Sequence, residues 1–453
     1  MLRLTLARLA EVLAATPVNL SQAAAATVVG LTTDTRVLQP GEVFLALSGE
    51  NFDGHQFVQA AMEKGAIAAI TATNASLPPG IPQLQVPDTL VAYQTLGRWW
   101  RQQFKVPVIA VTGSVGKTTT KELIAAVLEN SGPVLKSQAN YNNEIGVPKT
   151  LLELGPHHAY AVVEMGMRGP GEIACLSRIA QPDIAVITNV GTAHIGRLGS
   201  RAAIARAKCE LLAEMPPTSV AVLNADNPLL LETAKTVWRG QTLTYGLEGG
   251  DLQGNLVDEQ TLQAAGMAFP LPLPGRHNAL NYLAALAVAK LLHLDWSPLT
   301  TGLTVNLPSG RGGRYAFAND IVILDETYNA GFESMSAALH LLAQTPGQRH
   351  VAVLGTMKEL GAHSLELHQQ VGQVVRQLQL DYLLVLEDRE AAAIAKTAAP
   401  TVKTQRFATP EALVSYLKAF LQPGDRVLFK ASRSVGLDRV VEQLRTTLPT
   451  REI

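Results

Sequence analysis

VPVIAVTGSVGKTTT, residues 106–120, decides the fold of this chain. Val106 to Val111 is an apolar run that reads as a buried strand. Thr112 to Gly116 form a glycine-bearing turn, and Lys117-Thr118-Thr119 open an amphipathic helix that continues as KELIAAVLEN. A strand, a glycine turn and a helix start make a phosphate cradle: free N–H groups and the helix dipole face the anion, Lys117 adds a charge, and the Thr118 hydroxyl can reach Mg²⁺. The general P-loop would want glycine at 111, where this chain has Val111, so the shorter form TGSVGKT narrows the class. An incidental lysine after a glycine turn is the structural alternative, and the flanking strand and helix argue against it.

The pattern around this stretch predicts three blocks. Residues 1–105 hold an opening helix, short strand-like pieces and a helix over 89–104. Residues 106–312 alternate strands (Val106–Val111, Tyr160–Glu164, Ile184–Asn189, Ser219–Asn224) with helices near 117–130, 170–180, 200–214 and 277–293. Residues 313–453 repeat the alternation, with strands at Ile321–Leu324, His350–Leu354, Tyr382–Leu386, Thr404–Phe407 and Arg426–Phe429. Such alternation predicts an α/β protein with a mostly parallel central sheet and a Rossmann-like third unit. The third unit lacks GxGxxG, so no dinucleotide site is read there. LPSGRGG, 307–313, reads as the hinge.

Composition bounds the partners. Lys+Arg (37) nearly balance Asp+Glu (38), and no basic run appears, which argues against a nucleic-acid footprint. Cys175 and Cys209 have no metal spacing and read as reduced thiols. Leu2, Leu6, Leu9 and Leu13 keep helical spacing, interrupted by Arg3, Arg8 and Glu11, so the N-terminus reads as an amphipathic helix and not a targeting segment. No apolar run reaches a membrane span of about 18 residues. A soluble, cytoplasmic monomer without membrane insertion is expected.

In parallel sheets, ligands sit at the C-terminal strand ends, where Lys117, Glu164, Asn189 and Asn224 fall. A carboxylate such as Glu164 beside a P-loop suits nucleotide-bound Mg²⁺. His194, in TNVGTAHIG, reads as a metal or substrate group, with a structural histidine as the rival. Lys208 alone is an ordinary helix lysine. SQANYNNEIGVP places Asn140, Asn142 and Asn143 in one loop suited to a polar substrate. Asn278 and Asn281, near the start of the helix after PGRHN, suit adenine or helix capping equally. Asp325 and Glu326 end a strand and suit ribose hydroxyls. Lys430, Ser432 and Arg433 follow the last strand, where a guanidinium suits a carboxylate.

Together the short P-loop, strand-end Glu, His loop, AK helix segment and RHN helix start resemble the Mur ligase family of cell-wall amide ligases, over essentially the whole chain. TTDTRVLQPGEVFLALSGENFDGHQF, NYNNEIGVP and DETYNAGFESM are similar to the member that adds D-Ala-D-Ala to UDP-N-acetylmuramoyl-tripeptide. The resemblance implies a UDP-sugar unit, an ATP unit and a third unit for the incoming dipeptide. Gly113, Ser114, Val115, Gly116, Lys117, Thr118 and Thr119 would hold the ATP phosphates. Thr118 and Glu164 would hold one Mg²⁺; His194 and Lys208 would serve a second, with Lys208 carbamylated as in relatives. Asn278 would read adenine, Asp325 or Glu326 ribose, and Arg311 or Arg314 a phosphate. Thr33, Asp34, Arg36, Asn51 and His55 would hold the UDP-sugar, and Asn140, Asn142 and Asn143 would line the channel. Tyr328, Asn329, Lys430, Ser432 and Arg433 would meet the dipeptide.

One departure stands out: the family usually reads YNANP where this chain has YNAGF at 328–332. The rival readings are the family member that adds a diamino acid to the UDP-sugar dipeptide, a P-loop NTPase switch or motor, and a catalytically weak binding homologue. The first is disfavoured by the lack of a DNPR-like segment, the last by the presence of Lys117, Glu164, His194 and Lys208 together. The tripeptide's third residue stays open between meso-diaminopimelate and lysine.

Overall fold

Every residue of Val108–Thr112 is buried, which a strand tolerates only when both faces of its sheet are covered. In the computed structural model, which describes residues 4–20, 24–49, 52–318 and 320–449, this strand lies within a nine-stranded sheet. Tyr160–Glu164 and Ile184–Ile187 flank it in parallel, and Val134–Lys136, Val220–Asn224, Gln241–Gly246 and Leu252–Leu256 extend the parallel set. An antiparallel pair, Thr261–Ala264 and Met267–Pro270, closes one edge. The strands from Gln241 to Pro270 were not expected from the sequence; they are short and interrupted by Gly246, Gly249, Gly250 and Gly254.

The expected helices form at Lys117–Glu129, Glu172–Ala180, Arg201–Glu214 and Arg276–Leu291. Asn278, Ala279 and every residue of Arg276–Leu291 from Asn281 to Ala289 are buried. Its small side chains (Ala284, Ala285, Ala287, Ala289) let it pack closely on Lys117–Glu129 beside the sheet. This contact fixes the P-loop helix from behind.

The first sheet has five strands, in the order Thr16–Val18, Gln83–Val86, Ala68–Ala72, Val43–Leu45 and Leu31–Thr32. Helix Leu6–Leu13 buries Leu6, Leu9 and Leu13 as its spacing predicts, but it starts later than the pattern suggests. Thr5 caps it, and Leu4–Thr5 pairs with Thr27–Val28; Leu2 lies outside the described residues. Helix Thr89–Arg101, capped by Asp88, packs on the second unit. Trp100 Nε1 donates to Leu154 O at 3.0 Å, and Arg101 meets Asp183 at 2.7 Å.

The third sheet runs Gly313–Ala316, Val322–Asp325, Asp425–Lys430, Arg349–Leu354, Tyr382–Leu386 and Lys403–Phe407. All but the first, antiparallel strand are parallel. Among the described residues no helix is long and apolar enough to cross a membrane.

Candidate active site

The C-terminal ends of the central strands and the facing edge of the third sheet enclose a cleft of about 650 Å³, a size ordinary for a small-molecule site. Ser114 to Thr119 form one wall; Glu326, Tyr328 and Lys430 form the opposite one.

Gly113 has no room for a side chain, since a Cβ there would lie 1.9 Å from Thr188 Oγ1. Gly116, at φ +81°, caps the P-loop helix, and its Cβ would meet Asn281 Oδ1 at 2.6 Å. Asn189 braces the turn. Its carbonyl accepts from Ser114 N at 3.0 Å, and its side chain accepts from Val115 N and donates to Val115 O, both at 3.0 Å. Two of the N–H groups expected to meet phosphate are therefore engaged by the protein, and Gly113 sits behind the turn. The N–H groups of Lys117, Thr118 and Thr119 belong to the first helical turn, which cannot satisfy them internally, and these residues line the cleft. Lys117 folds its Nζ back onto Gly113 O at 2.9 Å. Desolvation pulls its pKa below the ordinary lysine value; Glu164 opposes that and Arg311 adds to it.

One layer behind Thr118 lies Glu164, buried at the end of its strand. Its Oε2 accepts from Thr118 Oγ1 at 2.9 Å and its Oε1 from Asn142 Nδ2 at 2.8 Å. Asn143 Oδ1 instead accepts from Gly146 N at 2.9 Å, at the start of the helix Gly146–Leu152, and Asn140 is exposed. Lys208 is fully buried; burial pushes its pKa well below the ordinary value, and the Lys117 charge pushes the same way. Among the described residues no cluster of three His, Cys, Asp or Glu could by itself hold a metal. Thr118 and Glu164 nevertheless fit a Mg²⁺ that takes its remaining ligands from phosphate and water. Burial favours the neutral form of the Lys208 amine, the form that carbamylation requires.

His194 lines the cleft with its Nδ1 2.7 Å from Glu359 Oε2 of the third unit. Desolvation and then Lys117 lower its pKa, with Glu359 opposing, so a neutral ring is favoured. The paired alternatives lie differently about the cleft. Arg311 lines the cleft, its guanidinium 3.8 Å from the Tyr328 ring centre, whereas Arg314 is exposed on the strand Gly313–Ala316 away from it. Glu326 lines the cleft, whereas Asp325 is buried and accepts from Thr327 N and Oγ1. Asn278 lines the cleft, but its amide donates to Pro274 O at 2.8 Å, the capping rival to the adenine role.

Lys430 is buried between Glu326 O and Asn329 O. Ser432 Oγ accepts from Lys358 N, and Arg433 faces Tyr328 at 5.2 Å. YNAGF leaves the local geometry in order. Helix Phe332–Gln344 starts at Phe332, where the family's proline would occupy the favoured first position. Ser334 Oγ accepts from Gly331 N and donates to Gly331 O.

In the first unit, Thr33, Asp34, Arg36 and His55 do not line this cleft. Arg36 hydrogen-bonds Asp34 and lowers its pKa to about 2, with a smaller push from Lys149 of the second unit. His55 is pinned, its Nδ1 2.7 Å from Asp53 and its Nε2 accepting from Ala72 N. Asn51 lies outside the described residues. Sequence reading passed over His277, a cleft residue whose pKa burial lowers to about 4, and over Glu333 and Glu359. His277 was quoted only as part of the RHN helix start, with no role of its own.

Models of the Mur ligase middle domain, of its glutamate ligase domain and of the Mur ligase family catalytic domain match residues 111–289, 310–433 and 27–127. The chain is 59% identical over 420 residues to a UDP-N-acetylmuramoyl-tripeptide–D-alanyl-D-alanine ligase of Synechocystis, covering 92% of each. The chain belongs to the Mur ligase family. The Escherichia coli ligase of the same description is 37% identical, over 94% of this chain and 95% of that one. MurF from Acinetobacter baumannii superposes with a TM-score of 0.89 at 32% identity, over 99% of this chain and 100% of that one. MurF from Thermotoga maritima, solved in complex with ADP, gives 0.82 at 32% identity, over 92% and 97%. Ser114 to Thr119 and His194 line one cleft in this chain, with Glu164 directly behind Thr118.

Proposed function

We propose that the chain is an ATP-dependent, ADP-forming ligase that joins D-Ala-D-Ala to UDP-N-acetylmuramoyl-tripeptide in the cytoplasm, acting as a monomer. The observation that carries this reading is the single cleft where Lys117 and Thr118 face Tyr328, Lys430 and Arg311, with Glu164 directly behind Thr118. It joins a phosphate cradle to a basic surface suited to a second, anionic substrate. Similarity at 59% identity to a ligase of that description, over 92% of the chain, supports the choice of substrates.

A carboxylate is a poor acyl donor because oxide would have to leave. In the proposed reaction a tripeptide carboxylate oxygen attacks the ATP γ-phosphorus, the bond to the β-phosphate oxygen breaks, and ADP departs. The D-Ala-D-Ala amine then attacks the acyl carbon, phosphate leaves, and the amine gives up a proton. Lys117 and the helix N–H groups hold the phosphates in line for transfer. Thr118 and Glu164 would hold one Mg²⁺, and His194 with a carbamylated Lys208 would hold a second; bound there, the ions would supply charge neutralisation for phosphoryl transfer. Tyr328 and Arg433 present the dipeptide, and Glu326 meets the ribose. The first unit, from Thr33 to His55, holds the UDP-sugar beside the Asn140–Asn143 loop.

ADP release tests the reading. Turnover should require both the UDP-tripeptide and D-Ala-D-Ala. Turnover only with UDP-dipeptide plus a diamino acid would move the chain to a neighbouring activity, and turnover indifferent to all of them would favour an NTPase switch. An acyl phosphate must also be shielded from water, so the units are expected to close over it. The radius of gyration from small-angle scattering should fall when an ATP analogue and both substrates are added; an unchanged value would count against closure.

A further inference from the structure

The third unit sends two carboxylates into one loop of the second. Glu333, in the first turn of Phe332–Gln344, accepts from Thr192 N at 2.7 Å and from Thr192 Oγ1 at 2.9 Å. Gly191 makes room for it, since a Cβ there would lie 2.6 Å from the Glu333 carboxyl carbon. Glu359 Oε2 sits 2.7 Å from His194 Nδ1, and its Oε1 faces Arg197. Around these contacts the two backbones touch. Gly196 N donates to Glu359 O at 3.1 Å, and a Cβ on Gly196 would lie 2.5 Å from Gly361 N. His194 and Glu359 both hold left-handed backbones, at φ +65° and +64°, a conformation that costs non-glycine residues energy.

Stability is a poor explanation for this arrangement. The Glu359 side chain is 43% exposed and that of His194 24%, and exposed pairs contribute little to folding. The loop's other side explains more. Gly191 N donates to Ser114 Oγ at 2.8 Å, and Asn189 holds Ser114 and Val115. The loop is therefore clamped between the phosphate turn of one unit and two carboxylates of the other.

We propose that Glu359 and Glu333 are positioning residues that make the site's geometry conditional on docking of the third unit. Glu359 accepts the Nδ1 hydrogen of His194, which fixes the tautomer and leaves Nε2 free as a metal ligand, the arrangement usual for metal-binding histidines. Glu333 holds Thr192 and so sets the height of the loop over the P-loop turn. Without docking, His194 loses its orienting partner and the loop is held from one side only. This extends the ligase reading and rests on it for the metal at His194.

The test uses the full chain. Nitrogen-15 spectra of His194 in the nucleotide-bound enzyme should show Nδ1 protonated; Glu359→Ala should give a tautomer mixture, and Glu359→Gln, which retains an acceptor oxygen, should restore the single form. In the ligation assay, Glu359→Ala should raise the half-saturating Mg²⁺ concentration by about tenfold with its melting temperature unchanged. Glu333→Ala should increase the radius of gyration of the nucleotide-bound enzyme, and Thr192→Ala added to it should change nothing further. An unaltered His194 tautomer in Glu359→Ala, or an additive effect of Thr192→Ala, overturns the proposal. Because the tautomer and scattering readings need no turnover, a wrong substrate assignment would fail in the ADP assay alone and leave these arms decisive.

Discussion

Lys117→Met is expected to lower kcat/KM for ATP by about 100- to 1,000-fold, the cost of removing one positioned electrostatic contact from a phosphoryl-transfer site. The lysine stem is half-buried between the P-loop turn and the facing unit, and among the described residues its Nζ bonds only Gly113 O. Methionine keeps most of that stem, so the turn, which Asn189 braces independently, should persist. Burial already disfavours the Lys117 charge. Its folded pKa lies below its unfolded value, so the unfolded chain binds more proton and stability rises with pH between the two. Removing the amine relieves that cost, and at neutral pH the variant should melt no lower than the parent. Steady-state kinetics beside a thermal melt check this. A large activity loss with an equal drop in melting temperature would point to misfolding, and a loss under threefold would remove Lys117 from phosphate binding.

The phosphate cradle was legible because its parts are contiguous: one apolar strand, one turn and one helix start within 15 residues. The parallel order around Val108–Thr112 followed from the same alternation. What the sequence left open were choices between neighbours. Arg311 against Arg314 and Asp325 against Glu326 depend on which face of a strand or loop meets the cleft. Arg311 and Glu326 line the cleft, whereas Arg314 and Asp325 lie within the paired strands Gly313–Ala316 and Val322–Asp325, an arrangement residue type alone does not announce. The carboxylates that grip the His194 loop were invisible for a different reason. Glu333 lies 141 residues from Thr192, and Glu359 165 from His194. No local pattern encodes a contact between two separately folded sheets. Asn189 was noted only as a strand-end residue; its bracing of Val115 is a long-range bond that spacing does not announce.

Lys208→Ala is expected to lower kcat by a similar factor, about 100- to 1,000-fold, and to recover in part when short carboxylates such as formate or acetate are added. Lys208 is 1% exposed in the helix Arg201–Glu214, beside Lys117 and Cys209, where a second cation is costly. Desolvation, and then the Lys117 charge, lower its pKa and so favour the neutral amine, whose lone pair adds to CO₂. Carbamylation would replace the amine by an anion, which Lys117 attracts and which would give His194 an oxygen partner. The alanine variant leaves a cavity one lysine side chain long, and a small carboxylate placed there restores the negative charge without the tether. Rescue should therefore saturate with carboxylate concentration and fail with a neutral amide of the same size. Independently of activity, carbon-13 bicarbonate should label the parent protein at one lysine and leave Lys208→Ala unlabelled. A fully active Lys208→Ala enzyme, or a parent that takes up no label, would leave Lys208 as a buried helix residue without a chemical part in the reaction.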